Sequence, residues 1–105
     1  MFAYTVACEF TDPAVADEWL DWLIGEHLAQ VVAAGALDAD VVRIDSGPGA
    51  APIRCEARYR FASRAAFGEY ERDHAPRLRA DGLARFPPER GLRYERSTGE
   101  IVARG

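Results

Sequence analysis

The chain contains no lysine, one methionine, two cysteines and two histidines in 105 residues. All 13 basic residues are arginine, which we read as GC-rich codon usage rather than chemistry. Two cysteines are too few for a disulfide framework, and no Cys-x-x-Cys follows the first strand-like segment, which excludes a metallochaperone of this design. Two histidines without a third ligand are poor grounds for a metal site, so no metal and no cofactor are expected. No apolar run approaches the roughly 18 residues that span a bilayer. Met1 leads straight into a strand-like alternation with no charged and apolar leader, so a cytoplasmic protein with reduced thiols is expected. A net charge of −4 argues against a generic nucleic-acid binder.

What remains fits one domain over residues 1–105, with 99–105 as a tail. A chain of this size hides roughly two-thirds of its unfolded surface and folds without staples. The charge is unevenly divided: residues 1–52 carry nine acids and one base, residues 53–105 eight acids and twelve bases. Such halves attract, which suits tight packing or a self-complementary dimer contact, although an ordinary mixed surface explains the split as well.

Residues 2–10 alternate, with Phe2, Tyr4, Val6, Cys8 and Phe10 on one side, as in a half-buried strand. Asp12-Pro13 reads as a helix start, and the helix is expected to run to about Ala34 with Gly35 as its C-cap. Residues 39–46 read as a second strand and 47–52 as a loop. Residues 53–61 alternate most clearly, with Ile53, Cys55, Ala57, Tyr59 and Phe61 inward. Ser63 caps a helix to about Ala75, Pro76 restarts a short piece ending near Gly82, and residues 92–98 form a fourth strand. The order is β-α-β-β-α-β. A repeat at an offset of 47 residues pairs Cys8 with Cys55, His27 with His74 and Gly35 with Gly82. A βαβ unit used twice predicts an α+β, ferredoxin-like fold: a four-stranded antiparallel sheet of order 4-1-3-2 with both helices on one face.

The other sheet face is expected to carry Thr5, Glu9, Arg43, Asp45, Arg54, Glu56, Arg58 and Arg60. An RNA-recognition domain displays aromatics there, and their absence rejects that function. A charged alternating face is left for solvent or for a second copy of the chain. Exposed ion pairs add only about 0–1 kcal/mol each, so a dimer needs apolar help from Val41, Leu92 or the Ile101-Val102 tail.

The first helix has two apolar stripes, Val15/Trp19/Trp22/Leu23 and Leu20/Ile24/Leu28/Val31. This predicts a kink at Gly25 or a partner covering the extra face, the kink being preferred. His74, four residues after Tyr70 and seven after Phe67, is expected to point towards the sheet, and His27 sits one turn beyond Leu23. Both are candidate general acid–base groups. The structural alternative, a buried histidine bonded to a free carbonyl at a helix end, is favoured because helix termini leave acceptors open. Cys8 and Cys55 read as core thiols.

The segments Glu18-Trp19-Leu20-Asp21-Trp22-Leu23, Glu26-His27-Leu28 and above all Asp73-His74-Ala75-Pro76-Arg77-Leu78-Arg79, with Arg85-Phe86, resemble a small bacterial family of the dimeric α+β barrel superfamily. That superfamily includes EthD-like proteins and antibiotic-biosynthesis-type monooxygenases. The resemblance covers residues 2–98, with Pro87-Pro88 and the tail from Gly99 departing from it. It implies a homodimer joined through the sheet faces and a pocket between each sheet and its helices. Some superfamily members are enzymes needing no prosthetic group, others bind haem, and this family has no reaction to carry over. The expected function is binding of a small apolar or aromatic molecule, with or without cofactor-independent turnover. His27 and His74 are the candidate catalytic groups, and Trp19, Trp22, Tyr4, Tyr59 and Tyr70 the candidate lining. The competing expectation is a non-catalytic homodimeric module that docks a partner through an exposed Trp19/Trp22 helix face.

Overall fold

The computed structural model describes residues 1–47 and 52–105; the middle of the loop expected at 47–52 lies outside the described residues. In chain order come β1 (Phe2–Phe10), α1 (Pro13–Trp22), a π-helical turn (Leu23–His27) and α2 (Leu28–Ala33). They are followed by β2 (Asp38–Arg43), β3 (Ile53–Phe61), α3 (Arg64–Asp73), α4 (Ala75–Arg85), a short 3-10 turn (Pro88–Arg90) and β4 (Leu92–Glu100). The sheet order is β2-β3-β1-β4 with antiparallel neighbours, which is the expected order read from the other edge.

The start signals act as their chemistry requires. Asp12 accepts a hydrogen bond from the Ala14 N–H at 2.9 Å, with Pro13 in the first helical position. Ser63 accepts from the Ala66 N–H at 3.0 Å. Gly35 leaves α2 at φ +134, a region that a side chain disfavours.

The expected kink at Gly25 takes the form of the π-helical turn. Its signature bond runs from the Leu28 N–H to the Leu23 carbonyl, five residues back. The reason lies in the stripes. Leu23 and Val31, eight residues apart, sit about 80° apart around a regular α-helix. One extra residue in the turn brings them back to within about 20°, and both are buried in the core. Ile24, from the second stripe, is turned out to solvent.

The apolar rows of β1 and β3 face the helices and interlock, with Cys8 directly across from Cys55 and Tyr4 from Tyr59. Around them pack Trp19, Leu23, Tyr70, Leu78 and Phe86. On the opposite face Arg54 bonds Glu9, Glu56 and Glu95, Arg58 bonds Glu56, Arg93 bonds Glu9, and Arg60 grips Asp38.

The phase of β2 differs from the expected one. Asp38 and Asp40 stand opposite Arg60 and Arg58, which puts Arg43 opposite Cys55 on the helix side. There Arg43 pairs with Asp17 of α1 at 3.3 Å instead of belonging to the outer charged face. Val41 therefore also faces the helices, beside Ala57, and Val42 takes the outer place beside Glu56. Leu92 pairs with Phe10 and is buried. Neither Val41 nor Leu92 is free to assist a sheet-to-sheet contact. β4 continues two residues beyond its expected end, and the Ile101 N–H closes onto the Met1 carbonyl at 2.8 Å.

Candidate functional site

Between the sheet and the helical layer lies a cavity of about 40 Å³ that opens to solvent. Val6, Ala57, Tyr4 and Tyr59 form its sheet wall. The first helical run supplies Trp19, Trp22, Leu23 and His27, while Tyr70, Ala75, Leu78 and Gly82 come from α3 and α4. Arg79, Leu83, Tyr94 and Arg96 complete the lining. Since one water needs roughly 10–15 Å³ of such space, the cavity holds about three waters as it stands. Leu83 and Arg96, which keep substantial solvent exposure, mark its rim.

The π-helical turn builds the most unusual part of this wall. Trp22 and His27 are five residues apart, about 140° around an α-helix, so a regular helix keeps them apart. The wider turn lays one ring over the other, with centroids 4.3 Å apart and planes 21° from parallel. Phe86 closes on Trp22 from the far side at 5.5 Å. Gly82 lets α4 approach, because a Cβ there would sit 3.2 Å from the Trp22 ring. Opposite, Tyr4 stacks on Tyr59 at 5.7 Å and meets Tyr70 at 6.3 Å.

Four buried side-chain polar atoms have no partner among the described residues: Trp19 Nε1, Trp22 Nε1, His27 Nδ1 and Gln30 Oε1. The first three belong to residues of this wall. Such atoms are uncommon in native interiors and mark places where water or a ligand completes the bonding. Burial pushes the His27 pKa below its ordinary 6.5, while the Gln30 side chain and the Asp81 and Glu26 carboxylates oppose the shift. The imidazole is therefore neutral at pH 7. Burial likewise pushes Tyr70 and Tyr94 up to about 12 and Tyr59 further, so these phenols stay protonated. Tyr94 donates to the Phe86 carbonyl at 3.0 Å.

The neutral His27 has a consequence for stability. Above about pH 6.5 both folded and unfolded chains hold it neutral, and its environment adds no penalty. Below that value the unfolded chain takes up the proton more readily, so stability falls as pH drops through the window beneath 6.5. Urea unfolding between pH 7.5 and 5 is expected to show this loss, and His27→Gln to flatten it. An identical slope in both proteins would remove His27 as its source.

The five aromatic residues expected to line a pocket do meet around one cavity, and so does His27. His74 does not. It stands between α3 and α4, with its Nδ1 3.3 Å from Arg77 Nη1. The expectation that it points towards the sheet assumed one helix continuing through it. The helix ends at Asp73, and at φ −130 His74 lies outside the helical geometry on which that expectation rests. Its backbone N–H still donates to the Tyr70 carbonyl at 2.9 Å. Trp19 is 2% exposed and packs on Phe10 at 5.5 Å, and Trp22 turns inward onto His27. Of the tryptophan face expected for partner docking, Trp19 is buried and Trp22 alone stays partly exposed. Arg79, Gly82, Leu83 and Arg96 were not anticipated in the wall. Arg96 had a signal, since it alternates in phase with Leu92 and Tyr94.

The family model described as Domain of unknown function (DUF4286) matches residues 1–93. The chain belongs to the DUF4286 family. Among solved structures, the DUF4286 chain is similar to a dimeric ferredoxin-like protein from an uncultured marine organism. That match has TM-score 0.75 and 14% identity, covering 99% of this chain and 97% of the other. It is also similar to an EthD family protein from Bacillus halodurans, with TM-score 0.59, 19% identity and 97% and 100% of the two chains covered. A third neighbour is an antibiotic biosynthesis monooxygenase, at TM-score 0.56 and 19% identity over 98% and 99%. At these identities the likeness establishes the ferredoxin-like fold. No curated protein sequence matches the chain. Among the described residues of this DUF4286 domain, no helix is long and apolar enough to cross a membrane, and no three His, Cys, Asp or Glu side chains gather to hold a metal.

Proposed function

We propose that this DUF4286 domain binds a small, largely flat molecule in the cavity between its helices and sheet, as a cytoplasmic homodimer joined through the outer sheet faces. The observation that carries the reading is the wall itself: Trp19, Trp22 and His27 meet around one cavity, and the Trp22 indole Nε1 is buried there without a partner. A core built only for stability leaves few such atoms. Aromatic walls with a small number of polar groups are the usual composition of a ligand site. The dimer is supported by the dimeric ferredoxin-like neighbour and by an outer face organised as rows of opposite charge.

Within that reading His27 is the chemical group. A neutral imidazole packed on Trp22 accepts a proton from an acidic C–H or O–H of the bound molecule, and the transfer itself needs no redox group. His74, outside the wall, has no part in it. The present volume is far below the 300–1,000 Å³ typical of sites for drug-sized ligands, so the ligand is compact and seats partly in the mouth beside Leu83.

Phenol is a suitable probe. It is expected to bind with Kd near a millimolar, about −4 kcal/mol, shifting the Trp22 indole N–H resonance. Ala57→Val, which adds two methyl groups at the sheet wall, is expected to weaken phenol by about tenfold, with a cost in stability of about 1–3 kcal/mol. Phenol shifts scattered over the surface, or unchanged affinity in Ala57→Val, would overturn the pocket.

A further inference from the structure

We propose that the ligand of this pocket is a small planar anion, a carboxylate or its equivalent on an aromatic or enolic frame, anchored by Arg96. The inference rests on the reading of the cavity as a ligand site and adds the chemical class of its occupant.

The charge inventory of the wall comes first. The chain has more acids than bases, yet the lining includes Arg79 and Arg96 and neither aspartate nor glutamate. Arg79 is already engaged, bonding Glu71 at 3.0 Å. Arg96 has no carboxylate within ion-pair distance among the described residues. The neighbouring acid of the same row, Glu100, is bonded by Arg64 at 3.3 Å. The strand register places Arg96 opposite Val6, in the row of β4 that faces the helices, whose other members include the buried Leu92. A residue needed only for solubility belongs on the outer row, where Arg93 and Glu95 stand. Arg96 is held at the cavity mouth over the Tyr94 ring, its guanidinium 5.4 Å from the centroid.

The hydrogen-bonding inventory agrees. The indole N–H of Trp22 is a donor without an acceptor. The phenol of Tyr59 stays protonated and can donate. An unpaired indole donor thus stands in the wall, and an unpaired cation stands at the entrance. A ligand that satisfies them is rich in acceptor oxygens and carries negative charge at the Arg96 end, where a guanidinium bonds two oxygens at once. Its flat remainder slides between the Trp22 and Tyr4 sides of the cavity.

Benzoate and benzamide separate charge from shape, being equal in size and ring. Benzoate is expected to bind about ten- to hundredfold more tightly than benzamide at low salt, the usual gain of a charge-assisted bond. Arg96→Gln is expected to abolish that preference by weakening benzoate far more than benzamide, with the melting temperature unchanged. Equal binding of the two probes, or a benzoate preference that survives Arg96→Gln, overturns the anionic class and its anchor while the pocket stands. Failure of benzoate, benzamide and phenol alike overturns the pocket as well.

Discussion

Trp19→Ala is expected to cost about 3–5 kcal/mol of folding stability, whereas Trp22→Ala, three residues on, is expected to spare the fold and remove ligand binding. Trp19 is 2% exposed and fills the space between α1 and Phe10 of β1. Truncating a large aromatic there leaves a void that close-packed neighbours cannot refill. A domain of this size is stabilised by only about 5–15 kcal/mol in total. With about 4–8 °C per kcal/mol, the melting temperature of Trp19→Ala falls by at least about 12 °C. Trp22 is only half buried and spends its ring on His27, Phe86 and the Gly82 face of α4. Its removal opens the cavity rather than the core. Thermal melts together with phenol titrations check both halves. Equal destabilisation by the two variants would show that the cavity wall is ordinary core.

These two tryptophans also show what the sequence made legible. The strand alternations of residues 2–10 and 53–61 carry the sheet, because a period of two leaves no doubt about which row is buried. The capping chemistry of Asp12-Pro13 and Ser63 placed both helix starts. The shape of the first helix was legible only as a conflict between two apolar stripes. Its resolution, one π-helical turn, depends on how Leu23 and Val31 both reach the core, which is a tertiary demand. The Trp22–His27 stack follows from that turn, so periodicity alone did not reach it. His74 was misplaced for a related reason: the apolar spacing ran through it, but the chain bends there to restart at Ala75 and Pro76. In β2 the short alternation Asp-Ala-Asp-Val-Val-Arg fits either phase, and pairing with Arg58 and Arg60 selects the one that turns Arg43 towards Asp17. The 47-residue repeat marks equivalent places with unequal roles. Cys8 and Cys55 become cross-strand partners, while Gly35 ends a helix and Gly82 makes room for a ring.

Thr5→Arg is expected to convert the proposed homodimer into monomers. The centre of the outer sheet face is a trough of small residues, Ala3, Thr5 and Ala7 on β1 with Ser97 and Gly99 on β4. Longer arginines and acids flank it and are already paired within the chain. A second sheet reaches backbone-close packing only along that trough. The flanking pairs add little by themselves while exposed, but they present matched signs to a twofold mate. An arginine at position 5 stands directly opposite Arg58 across the strand pair, a like charge, and its side chain fills the trough that the second sheet would enter. A buried unpaired charge costs about 2–5 kcal/mol, and a twofold interface suffers it twice. Dissociation is therefore expected to strengthen by about a thousandfold or more. If the wild-type chain pairs as proposed, its melting temperature should rise with protein concentration, and that of the variant should not. Sedimentation equilibrium reads the stoichiometry directly. A wild-type monomer would dismiss the sheet-to-sheet assembly, and a Thr5→Arg dimer would move the interface to another face. The cavity lies on the helix side of the sheet, so phenol binding by a folded monomeric variant would further show that each subunit carries its own complete site.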